Sequence, residues 1–91
     1  MKKVTLRQWL VTFAANLRLT MEEEGISQSR LAKETGISQS TINRYCNGTI
    51  VPSVINLNNI ACVLDCDIDD IAEFYDYIGI EGELEGEFDD D

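Results

Sequence analysis

The stretch SQSRLAKETGISQSTINRYCNG, residues 27–48, decides the fold, because two short helical segments lie on either side of one glycine. Ser27 and Ser38 each precede a segment, and their hydroxyls suit the N-cap position of a helix. Gly36 stands where the connection needs a left-handed backbone, which a side chain resists. The small Ala32 lets the two helices approach each other, and Ile37 and Ile42 are expected to pack between them. The stretch therefore predicts two helices joined at a steep angle by a three-residue turn.

Further helices are predicted on both sides of this stretch. Apolar residues recur every three or four positions from Leu6 to Met21, which predicts a long amphipathic helix that ends at Gly25. Ser53 is expected to cap a fourth helix and Asp67 a fifth. The core side of the fourth helix is predicted to comprise Ile55, Leu57, Ile60, Ala61 and Leu64. The apolar side of the fifth is predicted to comprise Ile68, Ile71, Phe74, Tyr75 and Ile78.

The fold class that follows is all-α, with short connections between five helices. No strand is predicted before residue 79. The domain is expected to span residues 1–78, and an acidic tail is expected to follow over residues 79–91.

The outward positions of the third helix carry amides, a hydroxyl and one guanidinium. Residues 38–47 place Gln39, Ser40, Asn43 and Arg44 on one stripe. Glutamine and asparagine pair with adenine, arginine pairs with guanine, and a serine hydroxyl pairs with several base edges. An ordinary solvated surface is the alternative, but such surfaces mix Glu and Lys, and this stripe has neither. The pattern favours a recognition helix in the major groove of DNA.

The charge of the chain is distributed unevenly. Residues 1–64 hold all seven basic residues and four acidic ones, a balance of +3. Residues 65–91 hold thirteen acidic residues and no basic one, which brings the net charge to −10. The chain is therefore a mildly basic body followed by a strongly acidic end, and the acidic end repels phosphates and weakens nonspecific DNA binding.

Residues 27–53, SQSRLAKETGISQSTINRYCNGTIVPS, resemble the helix-turn-helix of the lambda-repressor and Cro type, also called XRE-like. The matching positions are Gln28, Leu31, Ala32, Gly36, Ile42, Asn47, Gly48 and Pro52. The resemblance extends over residues 6–78 and implies a five-helix lambda-repressor-like DNA-binding domain. Phage repressors and many small bacterial regulators share this domain, so the resemblance also implies transcriptional regulation.

The resemblance assigns roles to individual residues. Gln39, Ser40 and Arg44 occupy positions that touch bases, and Asn43 flanks them. Gln28 occupies the position of a glutamine that binds a phosphate and braces the first residue of the recognition helix. The further candidates for phosphate binding are Thr41, Asn47, Arg18 and Arg30.

Two positions depart from the family pattern. Many relatives place arginine at the Met21 position and glutamate at the Cys46 position, where the two form a partly buried ion pair. Because both partners of the ion pair are replaced here, no buried charge is left unpaired, and Met21 and Cys46 are expected to meet in the core. Asp65 replaces a glycine that often turns the chain between the fourth and fifth helices, so a different local geometry is expected.

The acidic segment GIEGELEGEFDDD, residues 79–91, allows three interpretations. Its glycines and like charges favour a disordered, solubilising tail. Its alternation of acids with Ile80, Leu84 and Phe88 fits an extended segment that docks on a partner chain. Its charge also fits a mimic of nucleic acid, bound to the protein's own basic groove or to a basic protein.

The remaining residues point away from catalysis and from cofactors. Histidine is absent from the sequence, and no motif for a cofactor is present, so neither an enzyme nor a bound cofactor is expected. Cys46, Cys62 and Cys66 are an odd number with no disulfide or CxxC spacing. Cys62 and Cys66 are one helical turn apart, a spacing that a metal can use, but no histidine and no second cysteine pair accompany them. All three are therefore predicted to be buried, reduced thiols, with no metal site. No secretory signal or membrane span is indicated, and a cytoplasmic protein is predicted.

Two functional hypotheses follow. The first is a sequence-specific transcriptional regulator, a repressor from a phage, prophage or similar mobile element. It would bind double-stranded DNA as a homodimer whose interface includes Phe74, Tyr75 and Ile78. The alternative is a protein-binding module, such as an antitoxin or a phage antirepressor, that acts through the acidic segment on a basic partner.

Overall fold

The computed structural model describes residues 5–72 and 87–88. Its helices are α1 (Leu6–Glu24), α2 (Gln28–Thr35), α3 (Gln39–Asn47), α4 (Val54–Val63) and α5 (Ile68–Ile71). Its strands are β1 (Ile50–Val51) and β2 (Glu87–Phe88). The all-α prediction is confirmed, because helices make up nearly all of the regular structure described. The expectation of no strand before residue 79 is wrong, since β1 lies directly after α3.

Serine hydroxyls start the three helices on which they were predicted to act as caps. The hydroxyls of Ser27, Ser38 and Ser53 accept hydrogen bonds from backbone N–H groups three residues later, at 3.1 to 3.2 Å. Each bond satisfies one of the amides that the first helical turn leaves without a partner. Thr5 caps α1 in the same way and forms a reciprocal capping box with Gln8.

The two glycines that flank α3 have different reasons to be glycine. Gly36 has a left-handed backbone with φ of 80°, and a Cβ there would meet no atom within 4 Å. Gly48 also has a positive φ, 70°, but a Cβ there would lie 3.1 Å from the Leu10 carbonyl oxygen and 3.4 Å from the Ala14 Cβ. Gly36 therefore serves the turn alone, whereas Gly48 also lets the end of α3 approach α1 closely.

Asp65 keeps the turn that a glycine makes in many relatives. Its φ is 54°, and it is the only residue other than glycine with a positive φ among those the structure describes. The Cys66 N–H donates to the Ala61 carbonyl at 3.0 Å, as in the Schellman motif that closes a helix. The expected change of geometry is therefore not seen, because aspartate tolerates the left-handed region better than most residues.

The core lies where α1 and α2 pack against α3, and where α4 and α5 close the other side. Trp9 stacks on Phe13 at a ring distance of 5.3 Å, and Phe13 meets the edge of Tyr45 at 6.1 Å. The buried residues of α4 are Asn56, Leu57, Ile60 and Ala61. The prediction that Ile55 faces the core is wrong, because it is 69% exposed while the neighbouring Asn56 is buried.

Met21 and Cys46 meet in the core, as predicted from the loss of both charges. The Cys46 thiol lies 3.7 Å from the Met21 sulfur, and both side chains are buried. Arg18, one turn before Met21, donates from its guanidinium to the Cys46 carbonyl oxygen. A polar contact therefore still joins α1 and α3, as the ion pair does in many relatives. Here it is a hydrogen bond from a guanidinium to a backbone carbonyl, and no ion pair is buried.

The acidic end is described only in part. Helix α5 ends at Ile71, because Ala72 takes an extended conformation with φ of −137°. Phe74, Tyr75 and Ile78, predicted on the same helix and at a dimer interface, lie outside the described residues. Glu87 and Phe88 form β2, which pairs in parallel with Ile50 and Val51 of β1. These two residues therefore pair, as a short strand, with residues of the same chain. The rest of the segment 79–91 lies outside the described residues.

Candidate nucleic-acid interface

The outward face of α3 is accessible along its length. The side chains of Gln39, Ser40, Asn43 and Arg44 are all exposed. The opposite face of the same helix, formed by Ile42, Tyr45 and Cys46, is buried. The amide-and-hydroxyl stripe therefore projects away from the core.

The predicted base-reading residues Gln39 and Arg44 differ from Asn43 in the hydrogen bonds that their side chains make within the protein. Within the part of the chain that the structure describes, the Gln39 and Arg44 side chains make no hydrogen bond or ion pair. Asn43 makes two: its Nδ2 donates to Gln28 Oε1 at 3.3 Å, and its Oδ1 accepts from Asn47 Nδ2 at 3.1 Å. Gln39 and Arg44 can therefore bind base edges without breaking a bond, whereas Asn43 is already oriented by its neighbours.

The three amides form a chain that crosses from α3 to α2. Hydrogen bonds are donated from Asn47 to Asn43 and from Asn43 to Gln28. This direction uses the Gln28 oxygen and leaves its Nε2 group available as a donor, which suits a phosphate. The expected brace joins Gln28 to Gln39, the first residue of α3; in the structure Gln28 is instead bonded to Asn43, one turn further along α3.

The turn after α3 closes the helix with its own donors. The Gly48 N–H donates to the Tyr45 carbonyl, and the Thr49 N–H and hydroxyl both donate to the Arg44 carbonyl. Because these donors are engaged, a phosphate at this turn would have to be held by side chains such as Asn47. Thr41 is engaged in part: its hydroxyl oxygen accepts from the Ser38 hydroxyl at 2.8 Å, and its own hydroxyl hydrogen remains available to donate.

The two arginines predicted to bind phosphate have partners within the chain. Arg30 forms an exposed ion pair with Glu34, with Nε and Oε2 2.6 Å apart. Exposed pairs of this kind contribute little to stability, so a phosphate can compete for the guanidinium. Arg18 binds the Cys46 carbonyl in a partly buried position. Its contact with the end of α3 is thus structural, and phosphate binding by Arg18 remains a prediction.

The three cysteines differ in burial, and two of them have a thiol whose pKa is raised. All three thiols are free, and only Cys46 is buried; the prediction of burial is wrong for Cys62, which is exposed, and for Cys66, which is half-buried. Burial raises the pKa of the Cys46 thiol, an effect that the Arg18 charge partly opposes. Burial and the carboxylates of Asp70 and Asp67 raise the pKa of the Cys66 thiol. Cys46 and Cys66 therefore stay protonated near neutral pH and are weakly reactive.

Comparisons with known proteins agree with this geometry. The family described as Helix-turn-helix matches residues 17–71, and the chain belongs to it. This lambda-repressor-like family is a class of DNA-binding regulators, as the sequence resemblance implied. The match contains all of α2 and α3 and therefore the whole candidate interface.

Solved structures give the same fold. The crystal structure of the restriction-modification controller protein C.AhdI from Aeromonas hydrophila has a TM-score of 0.65 and 29% identity, and the match covers 68% of this chain and 94% of that one. The solution structure of an SOS-response transcriptional repressor, LexA from Eubacterium rectale, has a TM-score of 0.68 and 24% identity, with 90% and 88% covered. A search of curated proteins gave no match.

A membrane-spanning helix is not found among the described residues, since none of their helices is both long enough and apolar enough to cross a bilayer.

Sequence reasoning missed two residues that hold α3 in place. Asn56 of α4 donates to the Tyr45 hydroxyl, and Arg18 of α1 donates to the Cys46 carbonyl. A signal for Asn56 was present, because it precedes the buried Ile60 and Leu64 by four and eight residues and so shares their face. No comparable signal exists for Arg18, whose acceptor is a backbone atom far away in sequence.

Proposed function

We propose that this protein is a sequence-specific transcriptional repressor that reads an operator with α3. The observation that supports this most directly is the free, exposed pair of Gln39 and Arg44 on a helix whose other face is fully buried. Arg44 suits a guanine, Gln39 suits an adenine, and the Ser40 hydroxyl suits either kind of base pair. Members of the same fold include a restriction-modification controller and an SOS-response repressor, which supports a regulatory role.

Phosphate contacts on both sides of α3 would fix its register on the duplex. Gln28 has a free amide donor at the start of α2, and Thr41, Asn47, Arg30 and Arg18 lie nearby in the chain or on adjoining helices. Such contacts position a protein and carry no sequence information themselves. In this proposal the outward face of α3 reads the bases, and the phosphate-binding side chains around it fix its register on the DNA.

The repressor would act as a homodimer on a two-fold operator, with half-sites about one helical turn, roughly 34 Å, apart. The proposed dimer interface includes Phe74, Tyr75 and Ile78, three large apolar residues in an acidic segment. Occupation of a promoter would then exclude the polymerase.

The test is a selection of bound duplexes from a random DNA pool, followed by mobility shifts with variants. Arg44→Ala should weaken binding to the selected duplex by about 1–3 kcal/mol and relax one base position. Arg7→Ala is the matched control, since Arg7 is exposed on α1 outside the proposed interface and carries the same charge. If Arg44→Ala binds as tightly as the parent, the proposal fails.

Deletion of residues 79–91 separates this function from that of a protein-binding module. The deletion removes seven acidic residues, so a DNA-binding repressor should keep or gain affinity, above all at low salt. A module that works through the acidic segment should show no operator preference before or after the deletion.

A further inference from the structure

Polar side chains from three other helices contact the third helix. Arg18 of α1 donates to the Cys46 carbonyl, Gln28 of α2 accepts from Asn43, and Asn56 of α4 donates to the Tyr45 hydroxyl. The last of these contacts is the buried one and joins two side chains. Like the contact made by Arg18, it was not predicted from the sequence or from the family resemblance.

Tyr45 is the largest fully buried side chain of the described residues, and its hydroxyl lies inside the core. The Asn56 side chain is 5% exposed, and its Nδ2 lies 3.1 Å from the Tyr45 oxygen. No buried side-chain nitrogen or oxygen lacks a partner within the described chain. A hydrogen bond that satisfies buried groups is costly to remove, because the remaining partner keeps its desolvation penalty.

The geometry of this bond constrains α3 in a way that apolar packing does not. Ile42 packs without directional preference, so contacts of its kind tolerate small rotations and shifts of a helix. The Tyr45 hydroxyl stands at the end of a long ring and must meet the Asn56 amide within a narrow range of distance and angle. A rotation of α3 about its axis breaks the bond, and it also displaces Arg44, the adjacent residue on the outward face.

We infer that Asn56 is a positioning residue, which through its hydrogen bond to Tyr45 fixes the rotation of α3 and thereby sets the base selectivity of Arg44 and Gln39. This inference rests on the proposed function, because selectivity requires that α3 reads DNA. Asn56 does not touch DNA; it acts through Tyr45. Its contribution is to the difference between operator and random DNA, because nonspecific binding depends on phosphate contacts that tolerate a small rotation.

The test compares Tyr45→Phe, Asn56→Leu and the double variant that carries both changes. Tyr45→Phe removes one oxygen atom and should lower the melting temperature, since the buried Asn56 amide loses an acceptor. The double variant replaces both partners with apolar groups of similar shape and should recover part of that loss, because neither member of this bond is then left unpaired. The comparison therefore separates the effect of the bond on the stability of the protein from its effect on the orientation of α3.

The decisive readout is the ratio of affinities for the duplex selected by the parent protein and for a random duplex of equal length. In Tyr45→Phe and in the double variant this ratio should fall roughly tenfold, the loss expected when one bidentate base contact is misplaced. Affinity for the random duplex and its salt dependence should stay at the parent values. All measurements are made well below each variant's melting temperature.

Asn58→Leu is the matched control, because Asn58 is exposed on the same helix and receives the same substitution. It should leave both the melting temperature and the affinity ratio unchanged. A double variant that keeps the parent ratio would show that the bond only stabilises the core, and the inference would be wrong. The same conclusion would follow if Asn58→Leu lowered the ratio equally.

The orientation of α3 is also measured without DNA, from residual dipolar couplings of the backbone amides in the parent and the double variant. The couplings of α3 should change relative to those of α1 and α2, and unchanged couplings would overturn the positioning role. If the parent selects no sequence from the pool, the proposed function fails, and the couplings alone decide whether Asn56 positions α3.

Discussion

The two faces of α3 differ in what their side chains already bind. On the outward face, Gln39 and Arg44 are exposed and make no hydrogen bond within the described residues. On the inward face, Tyr45 and Cys46 are buried, and each is held by a polar contact from a different helix. The outward face is therefore free to bind a ligand, whereas the inward face determines where that ligand-binding surface lies. Changes to the first should alter DNA binding alone, and changes to the second should alter stability as well.

The largest effect is expected from Ile42→Ala on the inward face. Ile42 is fully buried between α3 and its neighbours, so the shorter side chain leaves a cavity. The free energy of unfolding should fall by about 3 kcal/mol, within the range for truncated core residues. Urea denaturation measures the change, and Ser40→Ala on the outward face is the control, with a change below about 0.5 kcal/mol. Equal losses in the two variants would contradict the contrast between the faces.

The glycines at the two ends of α3 extend the comparison to the backbone. Both Gly36→Ala and Gly48→Ala force a side chain into a left-handed conformation, at about 1 kcal/mol each. Gly48→Ala should cost roughly 2–3 kcal/mol in total, because its methyl group also presses on the Leu10 carbonyl oxygen at 3.1 Å. Thermal unfolding of the two variants checks the order. A larger loss for Gly36→Ala would mean that the end of α3 does not approach α1 closely.

Asn43 is the residue of the outward face whose side chain already forms hydrogen bonds within the protein. Asn43→Ala breaks the amide chain from Asn47 to Gln28, all of it exposed or half-buried, so the free energy of unfolding should change by less than about 0.5 kcal/mol. Affinity for the selected duplex should fall by about 1 kcal/mol, less than for Arg44→Ala, because part of the Asn43 amide is already used within the protein. Mobility shifts measure both variants side by side. A greater loss for Asn43→Ala would make Asn43 the principal reader.

The smallest effect concerns the pH dependence of the inward face. Burial raises the pKa of the Cys46 thiol, so in alkaline solution the unfolded chain releases this proton before the folded chain does. The stabilisation is complete below the ordinary thiol pKa and is lost as the pH rises through the raised one. For one such group, the free energy of unfolding falls by at most about 1.4 kcal/mol per pH unit.

Denaturation between neutral and alkaline pH compares the parent with Cys46→Ala, whose stability should fall less steeply. Ser40→Ala, which removes an exposed hydroxyl, is the control and should keep the parent slope. Identical slopes for all three proteins would show that the Cys46 thiol does not titrate differently in the folded state.

Much of this contrast could be predicted from sequence, because it depends on local rules. Gly36 and the serines before each helix marked the turn and the helix starts, and the exposed stripe of α3 followed from helical periodicity. The Met21–Cys46 contact followed from the simultaneous replacement of both charges. Such features need only residue type and spacing.

The features that were missed depend on tertiary distances. Ile55 and Asn56 are adjacent, and an apolar pattern places the isoleucine inside. The structure instead buries the asparagine, whose amide donates to the Tyr45 hydroxyl. The Arg18 contact has a backbone acceptor, and strand β1 needs a distant segment to pair with. Asp65 takes the left-handed turn despite its side chain. Apart from the helical spacing of Asn56 from the buried Ile60 and Leu64, none of these features is encoded in local periodicity.

The most direct test of the account is a titration of isotope-labelled protein with the duplex that it selects from a random pool, followed by the amide and side-chain signals in NMR spectra. The account predicts that the largest shifts occur at Gln39, Ser40 and Arg44, with smaller shifts at Gln28 and Asn47, while the buried residues of α4 are little affected. Shifts centred on the exposed residues of α1 or α4, with the outward face of α3 unchanged, would contradict it.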